Sequence, residues 1–389
     1  MHLAVLTSHP IQYQAPLFRD LSRRLDLTVL FAHRATQADQ AAAGFGVGFE
    51  WDVDLLSGYD HYFLKNVATD PGVDRFWRCD TPEIEDRLRD GNFDALLVMG
   101  WHLKCFWQAI LAAKRRGIPV MVRGDSHLET PRSPLKRSGK ALIYPMVLRV
   151  FDVALYVGER SRRYWQHYSF PSHRLVFSPH CVDNDWFAAR AGCEPREKLR
   201  AAYGISPGTK VALFAGKFLP FKRPLDLISA TKVLISAGCD VTVLTAGSGP
   251  LGEQVTAAAR AAEVPLVQLG FCNQTEMPAA YAAADMLVLP SDGRETWGLV
   301  ANEALASGIP IVISDACGCA PDLAVDEMAG RVFPVGDIPS LAAALKEMIE
   351  HPPSRDVIAA KAARYSISAA VDGVLSGIEV VAGRKKTIR

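Results

Sequence analysis

Residues 285–315 read DMLVLPSDGRETWGLVANEALASGIPIVISD, and the order of the parts of this stretch indicates the fold. An apolar run, DMLVLPS, is followed by a polar loop, by an amphipathic segment from Trp297 to Ser307, and by a second apolar run, IPIVISD. Gly308 and Pro310 end the predicted helix, because glycine accommodates the C-terminal turn and proline cannot continue it. A strand, a helix and a second strand in this order predict a βαβ unit with parallel strands.

The same alternation extends along the chain in both directions. Apolar runs such as HLAVLTS, LDLTVLFAH, DALLVMG, IPVMVRG, KVALFAGKF, DVTVLTAGSGP and PLVQLGF are separated by amphipathic segments. The helices predicted elsewhere cover residues 14–24, 106–116, 224–237, 252–262 and 277–284. This pattern predicts α/β domains with parallel sheets, in which ligands bind beyond the carboxyl ends of the strands.

The length of 389 residues predicts two domains, because single hydrophobic cores rarely grow beyond roughly 250 residues. The strand-like run RLVF is broken by Pro179 and followed by polar turn residues, which puts the boundary near residues 180–195. The expected divisions are an N-terminal acceptor-side domain over 1–182, a linker over 183–195, a C-terminal donor-binding domain over 196–365, and a helical segment over 366–389 that can pack back on the N-terminal domain.

The composition is that of an ordinary globular protein, with 49% hydrophobic and 22% charged residues. The start, MHLAVLTSHP, lacks the features of a signal peptide, and no uninterrupted apolar run reaches the roughly 20 residues that a bilayer-spanning helix needs. Cys317 and Cys319 are too close together for the usual zinc or redox spacing, so we expect the eight cysteines to be reduced and mostly buried. These features predict a cytoplasmic protein, with peripheral contact at the inner face of the membrane as its closest association with a bilayer.

The formal net charge of +1 predicts no binding to nucleic acid. Basic residues are nevertheless concentrated between residues 130 and 175, where nine Lys or Arg accompany two acidic residues. Leu142, Ile143, Met146 and Val147 add apolar side chains to the same window. Two interpretations stay open: a helix packed with its apolar face on the core, and a docking surface for a membrane or for a lipid-linked or otherwise anionic acceptor.

Glu295 and Glu303 are the most informative polar residues in the stretch 285–315. Glu295 lies in the loop before the predicted helix and Glu303 about two turns inside it, so both can reach one ligand across the helix N-terminus. The backbone N–H groups near Trp297, Gly298 and Leu299 are available there to phosphate or sugar oxygens. Because two glutamates at this spacing are by themselves usually solvated carboxylates, the assignment depends on the rest of the chain.

Four segments resemble the motifs of the retaining glycosyltransferase family 4, a large family with the GT-B fold. ETWGLVANE resembles its E-x7-E element, VALFAGKFLPFKRP its G-R-L-x-x-x-K-G phosphate loop, TAGSGP its A-G-x-G-P turn, and SPHCVDNDWF its interdomain P-N-G-V-D-x-x-x-F linker. All four occur in the family's order, whereas the N-terminal half is similar only through SHPIQY and VMVRGDSHLE. The resemblance implies two Rossmann-like, doubly wound α/β domains that face a cleft, and a transferase of the kind used in polysaccharide biosynthesis.

The resemblance also implies roles in a donor site. Glu303 would bind the ribose hydroxyls, since an ionised carboxylate accepts two hydrogen bonds, and Glu295 would contact the transferred sugar. Lys222 matches the family's lysine, and both lysines would neutralise the diphosphate. Lys217 stands where the family usually has arginine, and a lysine cannot make the bidentate contact with a phosphate that arginine makes. The other donor-site residues implied are Gly216, Gly247 and Gly249 near the phosphates, Phe271 and Cys272 beside the base, and Trp297, Gly298 and Leu299 at the helix.

In the N-terminal domain the family usually places a histidine near the anomeric carbon, after the strand that here reads PVMVRGD. Asp125 occupies that position and His127 lies two residues further on, so either of them can be the residue that contacts the sugar. A buried or loop-bound structural histidine is the alternative for His127. His9, Gln12 and Tyr13, which follow the first strand, are candidates for contacts with the acceptor.

Together these observations predict an enzyme that moves a hexose-like group from a nucleoside diphosphate sugar, with UDP favoured, to a glycan, a lipid-linked saccharide or a small molecule. Retention of anomeric configuration is implied by the resemblance alone. No cofactor and no metal are expected, because two lysines and helix N–H groups already face the diphosphate. The alternatives are a sugar-nucleotide epimerase of similar fold, a non-catalytic two-domain sugar-binding protein, and a metal-dependent transferase of the other main fold that uses Asp52 with Asp54 or Asp183 with Asp185.

Overall fold

The computed structural model describes residues 1–325 and 329–387 and contains two parallel β-sheets, one from each half of the chain. The N-terminal sheet has seven strands in the order β3, β2, β1, β4, β5, β6, β7. These strands are β1 (His2–Thr7), β2 (Asp26–Phe31), β3 (Asp60–Phe63), β4 (Ala95–Val98), β5 (Val120–Gly124), β6 (Val153–Tyr156) and β7 (Leu175–Phe177). The helices that accompany them are α1 (Ala15–Ser22), α2 (Gln37–Gln40), α3 (Ile84–Asp90), α4 (Lys104–Arg115), α5 (Pro134–Val147) and α6 (Glu159–His167).

Two short helices, α7 (Asn184–Arg190) and α8 (Cys193–Ala202), lead into the second sheet. That sheet has six strands in the order β10, β9, β8, β11, β12, β13. They are β8 (Lys210–Ala215), β9 (Val241–Ala246), β10 (Leu266–Gln268), β11 (Met286–Leu289), β12 (Ile311–Ser314) and β13 (Gly330–Phe333). The remaining helices are α9 (Pro224–Ser236), α10 (Gly252–Ala262), α11 (Met277–Ala283), α12 (Val300–Ala306), α13 (Ala320–Leu323), α14 (Ile338–Glu350), α15 (Arg355–Ala363) and α16 (Ile367–Thr387).

Both faces of each sheet are covered, which explains why the strands read as continuous apolar runs. In β1, Leu3 and Val5 belong to the apolar cluster that contains Phe18 of α1, whereas Ala4 and Leu6 belong to the cluster on the opposite face. All strand pairs are parallel. The predicted fold of two doubly wound α/β domains is confirmed.

The predicted helices agree with the structure to within a few residues, with one exception that affects the site. The helix predicted from Trp297 begins instead at Val300. Gly298 has φ +99°, a left-handed conformation that a residue inside a right-handed helix does not adopt, so the helix starts after it. Glu303 therefore lies about one turn inside the helix, and the prediction of two turns is wrong.

Helix α16 crosses back and packs on the N-terminal sheet. Val371 and Val374 are buried in the same cluster as Leu3 and Phe18. Where the helix passes β7, a Cβ added at Gly373 would lie 2.0 Å from the carbonyl oxygen of Phe177, so only glycine fits this approach. Helix α16 is thus fixed on the N-terminal domain.

By length and composition, the helical stretch Arg355–Gly383 is apolar enough to cross a membrane. Charged residues, among them Asp372 and Glu379, interrupt this stretch, so it contains no uninterrupted apolar run of about 20 residues. Buried core helices of globular proteins pass the same test, and the apolar side chains Val371, Val374 and Ile378 face the N-terminal core, so this is weak evidence for a span.

Candidate active site

A cleft of about 540 Å³ lies beyond the carboxyl ends of the C-terminal strands. Its wall is formed mainly by the loops after β8, β9, β10 and β11 and by α12, and Gln12 and Trp51 close it from the N-terminal domain. Nine of the predicted donor-site residues line it: Gly216, Lys217, Lys222, Gly247, Phe271, Cys272, Glu295, Leu299 and Glu303. Segments far apart in the sequence thus meet where the parallel sheet predicts a ligand site.

Glycines allow the loops after β8 and β9 to touch. Gly216 and Gly247 have φ +139° and +147°, and a Cβ added at Gly247 would lie 2.0 Å from the carbonyl oxygen of Gly216. Gly249 packs against the backbone of Phe218 in the same way and does not line the cleft. Gly249 therefore shapes the phosphate loop from behind, which differs from its predicted contact with the donor.

Lys222 and Glu295 form an ion pair inside the cleft. Their side chains are 14% and 12% exposed, and the Ser291 hydroxyl also donates to Glu295 over 3.2 Å. Burial, followed by the positive charge of Lys222, lowers the pKa of Lys217. Two cations and a carboxylate thus share one partly dehydrated space, where electrostatic interactions are stronger than in water. The neighbouring Arg223 pairs with a carboxylate of its own helix.

Glu303 is 8% exposed and accepts a hydrogen bond of 2.6 Å from the hydroxyl of Tyr281. Burial raises its pKa to about 7, and the hydrogen bond from Tyr281 only partly opposes this effect. The carboxylate therefore lies at the wall of the cleft with a neighbour that fixes its orientation. Tyr281 itself was not predicted, because a buried tyrosine on a helix gives no sequence signal that separates it from the core.

Trp297 and Gly298 do not line the cleft, in contrast to the prediction. The Trp297 indole N–H donates to the side-chain oxygen of Asn302 over 2.8 Å, and its ring packs 5.4 Å from that of His180. A Cβ added at Gly298 would lie 2.6 Å from the side chain of Leu289. Both residues support the loop that carries Glu295, and Glu295 and Leu299, on either side of them in the sequence, line the cleft.

Asp125 and His127 lie in different surroundings, and neither lines the cleft. Asp125 accepts a hydrogen bond of 2.6 Å from the Thr296 hydroxyl across the domain boundary, and its carboxylate is 3.8 Å from the ring of His180. Although burial disfavours the charged form, the contacts with His180 and Thr296 hold the pKa of Asp125 well below its usual range. Asp125 therefore connects the N-terminal domain to the residue beside Glu295.

His127 is buried, and its Nδ1 is 2.9 Å from a carboxylate oxygen of Glu129. This hydrogen bond is the main reason why the pKa of Glu129 is lowered to about 2. Arg160 lies 3.8 Å from the same carboxylate. The structure therefore favours the structural interpretation of His127, and the sequence motif alone did not separate the two residues.

The loop after β1 contributes Gln12 to the cleft. Its side-chain oxygen is buried and has no hydrogen-bond partner within residues 1–325 and 329–387. His9 does not line the cleft; burial, followed by the nearby His33, lowers its pKa to about 4. The ring of Tyr13 packs against His180 at 6.1 Å. Of the three candidates for acceptor contacts, Gln12 is thus the one that faces the donor site.

Three of the four aspartates of the metal-dependent alternative have protein partners. Asp52 accepts hydrogen bonds from the backbone and hydroxyl of Thr275, and Asp183 caps α7. Asp54 closes a local turn by accepting from the backbone of Leu56. Across the described part of the chain, no group of three or more His, Cys, Asp or Glu side chains is placed to hold a metal ion.

Two parallel-sheet domains facing a cleft, with the phosphate-loop lysines and the two glutamates inside it, define a GT-B glycosyltransferase. Residues 195–365 match the family model of glycosyl transferases group 1. Residues 195–365 thus form a group 1 glycosyltransferase domain, as the four motifs predicted, and the curated relatives support a glycosyltransferase enzyme. The epimerase and sugar-binding alternatives find no support in this match.

Curated relatives agree with the family. The chain is 28% identical over 295 residues to a D-inositol 3-phosphate glycosyltransferase of Corynebacterium aurimucosum, with 73% of this chain and 68% of that protein aligned. It is 29% identical over 225 residues to the protein of the same name from Corynebacterium glutamicum, with 55% and 52% aligned. The chain thus spans 68% and 52% of the length of these two relatives.

Solved structures show the same fold at low identity. A glycosyltransferase from Rickettsia africae superposes with a TM-score of 0.75 at 12% identity, covering 98% of each chain. Anabaena HepE in complex with UDP and glucose gives a TM-score of 0.69 at 16% identity, covering 97% of this chain and 99% of that one. The architecture is therefore shared over nearly the whole length of the protein.

Proposed function

We propose that the protein transfers a sugar from a nucleoside diphosphate sugar, UDP being the favoured nucleotide, to a glycan, lipid-linked or small-molecule acceptor. One observation carries the proposal: Lys217, Lys222, Glu295 and Glu303 converge in a single cleft between the domains. The UDP and UDP-glucose complexes of Anabaena HepE favour UDP among the nucleotides.

The chemistry follows from the charges. As the glycosidic bond breaks, negative charge grows on the diphosphate, and Lys217 and Lys222 are placed to stabilise it. Helix α12 has only seven residues, so the two cations contribute more to this stabilisation than the helix N-terminus does. Because the cations already face the phosphates, we propose that transfer needs no divalent metal and no further cofactor.

Binding is tested with a panel of nucleotide sugars in a thermal-shift assay, because a ligand that binds only the folded state raises the melting temperature. The expected result is stabilisation by at least one nucleoside diphosphate sugar and less by the free monosaccharide. If no member of the panel stabilises the protein, the proposal fails.

Turnover separates the remaining alternatives. Release of nucleoside diphosphate that depends on an added acceptor supports transfer, whereas conversion of the sugar nucleotide to its epimer without acceptor would support the epimerase. We also propose retention of configuration. The anomeric form of the product, read from its proton coupling by NMR, tests that proposal directly.

A second proposal concerns the acceptor side: helix α5 docks on an anionic membrane surface. None of its 14 residues is buried. Leu135, Leu142 and Met146 are 84%, 76% and 67% exposed, so these apolar side chains do not form the side of the helix that packs on the core, which is the side of Tyr144. Lys136 and Arg137 are exposed on the same helix, and the sequence of α5 contains no acidic residue. Exposed apolar side chains beside cations fit a bilayer interface that carries anionic lipids.

The rest of the basic window does not belong to this surface. Arg162 and Arg163 pair with Glu159, and Arg174 donates to backbone carbonyls. Arg160 donates to a carbonyl of the C-terminal domain. The cations available to a membrane are therefore those around α5, a narrower set than residues 130–175.

Flotation with phosphatidylglycerol vesicles at low and high salt tests the docking surface, because screening weakens the electrostatic part. The wild-type protein should float at low salt, and a variant with Leu142→Ser and Ile143→Ser should not. Leu111→Ser is the matched control, since Leu111 is also half exposed but lies on α4. Equal flotation of all three proteins, or none by the wild type, would contradict docking through α5.

A further inference from the structure

A segment of the N-terminal domain, residues 44–52, crosses the donor cleft and is called the strap here. At one end, a Cβ added at Gly44 would lie 3.4 Å from the side chain of Lys217 and 3.5 Å from that of Leu219. At the other end, Trp51 lines the cleft together with Phe271. The strap therefore runs from the phosphate loop to the loop that follows β10.

Polar contacts anchor the far end of the strap to the C-terminal domain. The side-chain amide of Asn273 donates to the backbone carbonyl of Glu50 over 2.7 Å. The backbone N–H of Thr275 lies 3.2 Å from both carboxylate oxygens of Asp52, and its hydroxyl donates to the same group. These contacts lie on either side of Trp51 in the sequence, so they hold its backbone at the cleft.

Aromatic contacts fix the Trp51 side chain. Phe49 is buried and lies 4.4 Å, centroid to centroid, from Phe271. The Trp51 ring meets Phe49 edge to face at 4.9 Å. Trp51 is only partly buried, and its side chain lines the cleft. An aromatic surface is thus presented to the end of the cleft away from the lysines.

We propose that Trp51 binds the nucleobase of the donor from the N-terminal domain. The inference rests on the proposed function. Every nucleobase has an apolar π-face, and a fixed indole ring binds such a face with little loss of side-chain entropy. With Lys217 and Lys222 on the diphosphate and Glu303 on the ribose, the base falls toward Phe271 and Trp51. The nucleotide then contacts both domains, so its binding favours the arrangement in which the strap is docked.

Isothermal titration with UDP, ADP and GDP, and with inorganic pyrophosphate as a ligand without a base, tests the inference. Trp51→Ala should raise the Kd of the nucleotide that binds best by about tenfold or more, since base–aromatic stacking contributes on this scale. The Kd for pyrophosphate should stay within about twofold, because the lysines are untouched. Trp51→Phe, which keeps an aromatic face, should lose less affinity than Trp51→Ala.

Trp77→Ala is the matched control, because Trp77 is a 72% exposed tryptophan of the same domain outside the cleft. It should bind nucleotide like the wild type. Nucleotide should also quench tryptophan fluorescence in the wild type and in Trp77→Ala, and this quenching should be lost in Trp51→Phe.

Three results would overturn the inference. Unchanged nucleotide affinity in Trp51→Ala would show that the indole does not contact the base. An equal loss for nucleotide and pyrophosphate would show that the substitution only displaced the strap. If the wild-type protein bound none of the nucleotides or nucleotide sugars, the proposed function would fall and this inference with it, whereas the first two results leave the proposed function standing.

Discussion

Replacing Glu303 by glutamine should have opposite effects on two quantities: it should raise the free energy of unfolding and lower the affinity for nucleotide. Burial raises the pKa of Glu303 from 4.5 to about 7, so the folded state holds this proton more tightly than the unfolded state does. The stability of the wild type therefore falls as the pH rises from about 4.5 to 7. At 1.36 kcal/mol per pKa unit, the ionised carboxylate costs about 3 kcal/mol above pH 8.

Glu303→Gln keeps the size of the side chain and can keep the hydrogen bond with Tyr281, but it carries no charge. Urea unfolding of the C-terminal domain should show the variant more stable than the wild type by up to about 3 kcal/mol at pH 8, with little difference at pH 4. Glu253→Gln, at an exposed position in the first turn of α10, is the control and should show no such dependence on pH.

Nucleotide binding should change in the opposite direction. Loss of a charge-assisted contact with the ribose should weaken affinity by roughly 1.5 to 3 kcal/mol, which calorimetry measures as a tenfold to hundredfold rise in Kd. In the wild type, affinity should increase between pH 6 and pH 8, because the ionised carboxylate is the form that accepts two hydroxyl hydrogen bonds. A variant that is less stable at pH 8, or that binds nucleotide as well as the wild type, would refute the reasoning.

The other functional residues and the proposed absence of a metal yield further expectations. Lys222→Ala should lower kcat more than it weakens ground-state binding, since charge on the leaving oxygen grows in the transition state; a change in KM alone would limit Lys222 to binding. Glu295→Ala should reduce turnover or sugar discrimination more than affinity for the free nucleotide, and an equal loss for nucleotide and nucleotide sugar would contradict this role. Activity in excess EDTA should stay within about twofold of that with magnesium, roughly 0.4 kcal/mol in barrier, whereas abolition with rescue by manganese would defeat the proposal. Asp125→Ala, which removes the contact with Thr296, should lower kcat, while His127→Ala should lower the melting temperature and leave the activity of the folded enzyme near normal; two near-normal enzymes would remove this segment from the site.

The fold could be predicted because its signals are local and periodic. Runs such as HLAVLTS and KVALFAGKF are apolar on both faces, which is typical of strands in a parallel sheet. The start of α12 could not be placed from the same pattern, because the periodic segment continues through Gly298 and only the backbone dihedral shows where the helix begins. Because the helix begins one turn later than predicted, Trp297 lies in the core and not at the cleft.

The C-terminal part of the site could be predicted from motifs, whereas the N-terminal part could not. Lys222, Glu295 and Glu303 lie in segments that resemble a known family, so their meeting in one cleft was expected. Trp51 and the strap have no motif, and their place depends on contacts with Thr275 and Phe271 more than 200 residues away in the sequence. Hydrophobic periodicity is a local property of the sequence, so it cannot predict a contact between residues so far apart in the chain.

The ion pair between Lys222 and Glu295 links the two charges that a nucleotide sugar is proposed to contact. Without ligand, Lys222 neutralises a carboxylate that would otherwise be buried and unpaired, which is costly. We expect a diphosphate to compete for Lys222, and the released Glu295 then to accept hydrogen bonds from the hydroxyls of the transferred sugar, which a free nucleotide lacks. Recognition of the phosphates is thereby linked to recognition of the sugar. The two glutamates, eight residues apart in the sequence, are thus expected to contribute differently: Tyr281 holds Glu303, the residue proposed to bind the ribose, whereas Glu295 is paired with Lys222 until a diphosphate competes for that lysine.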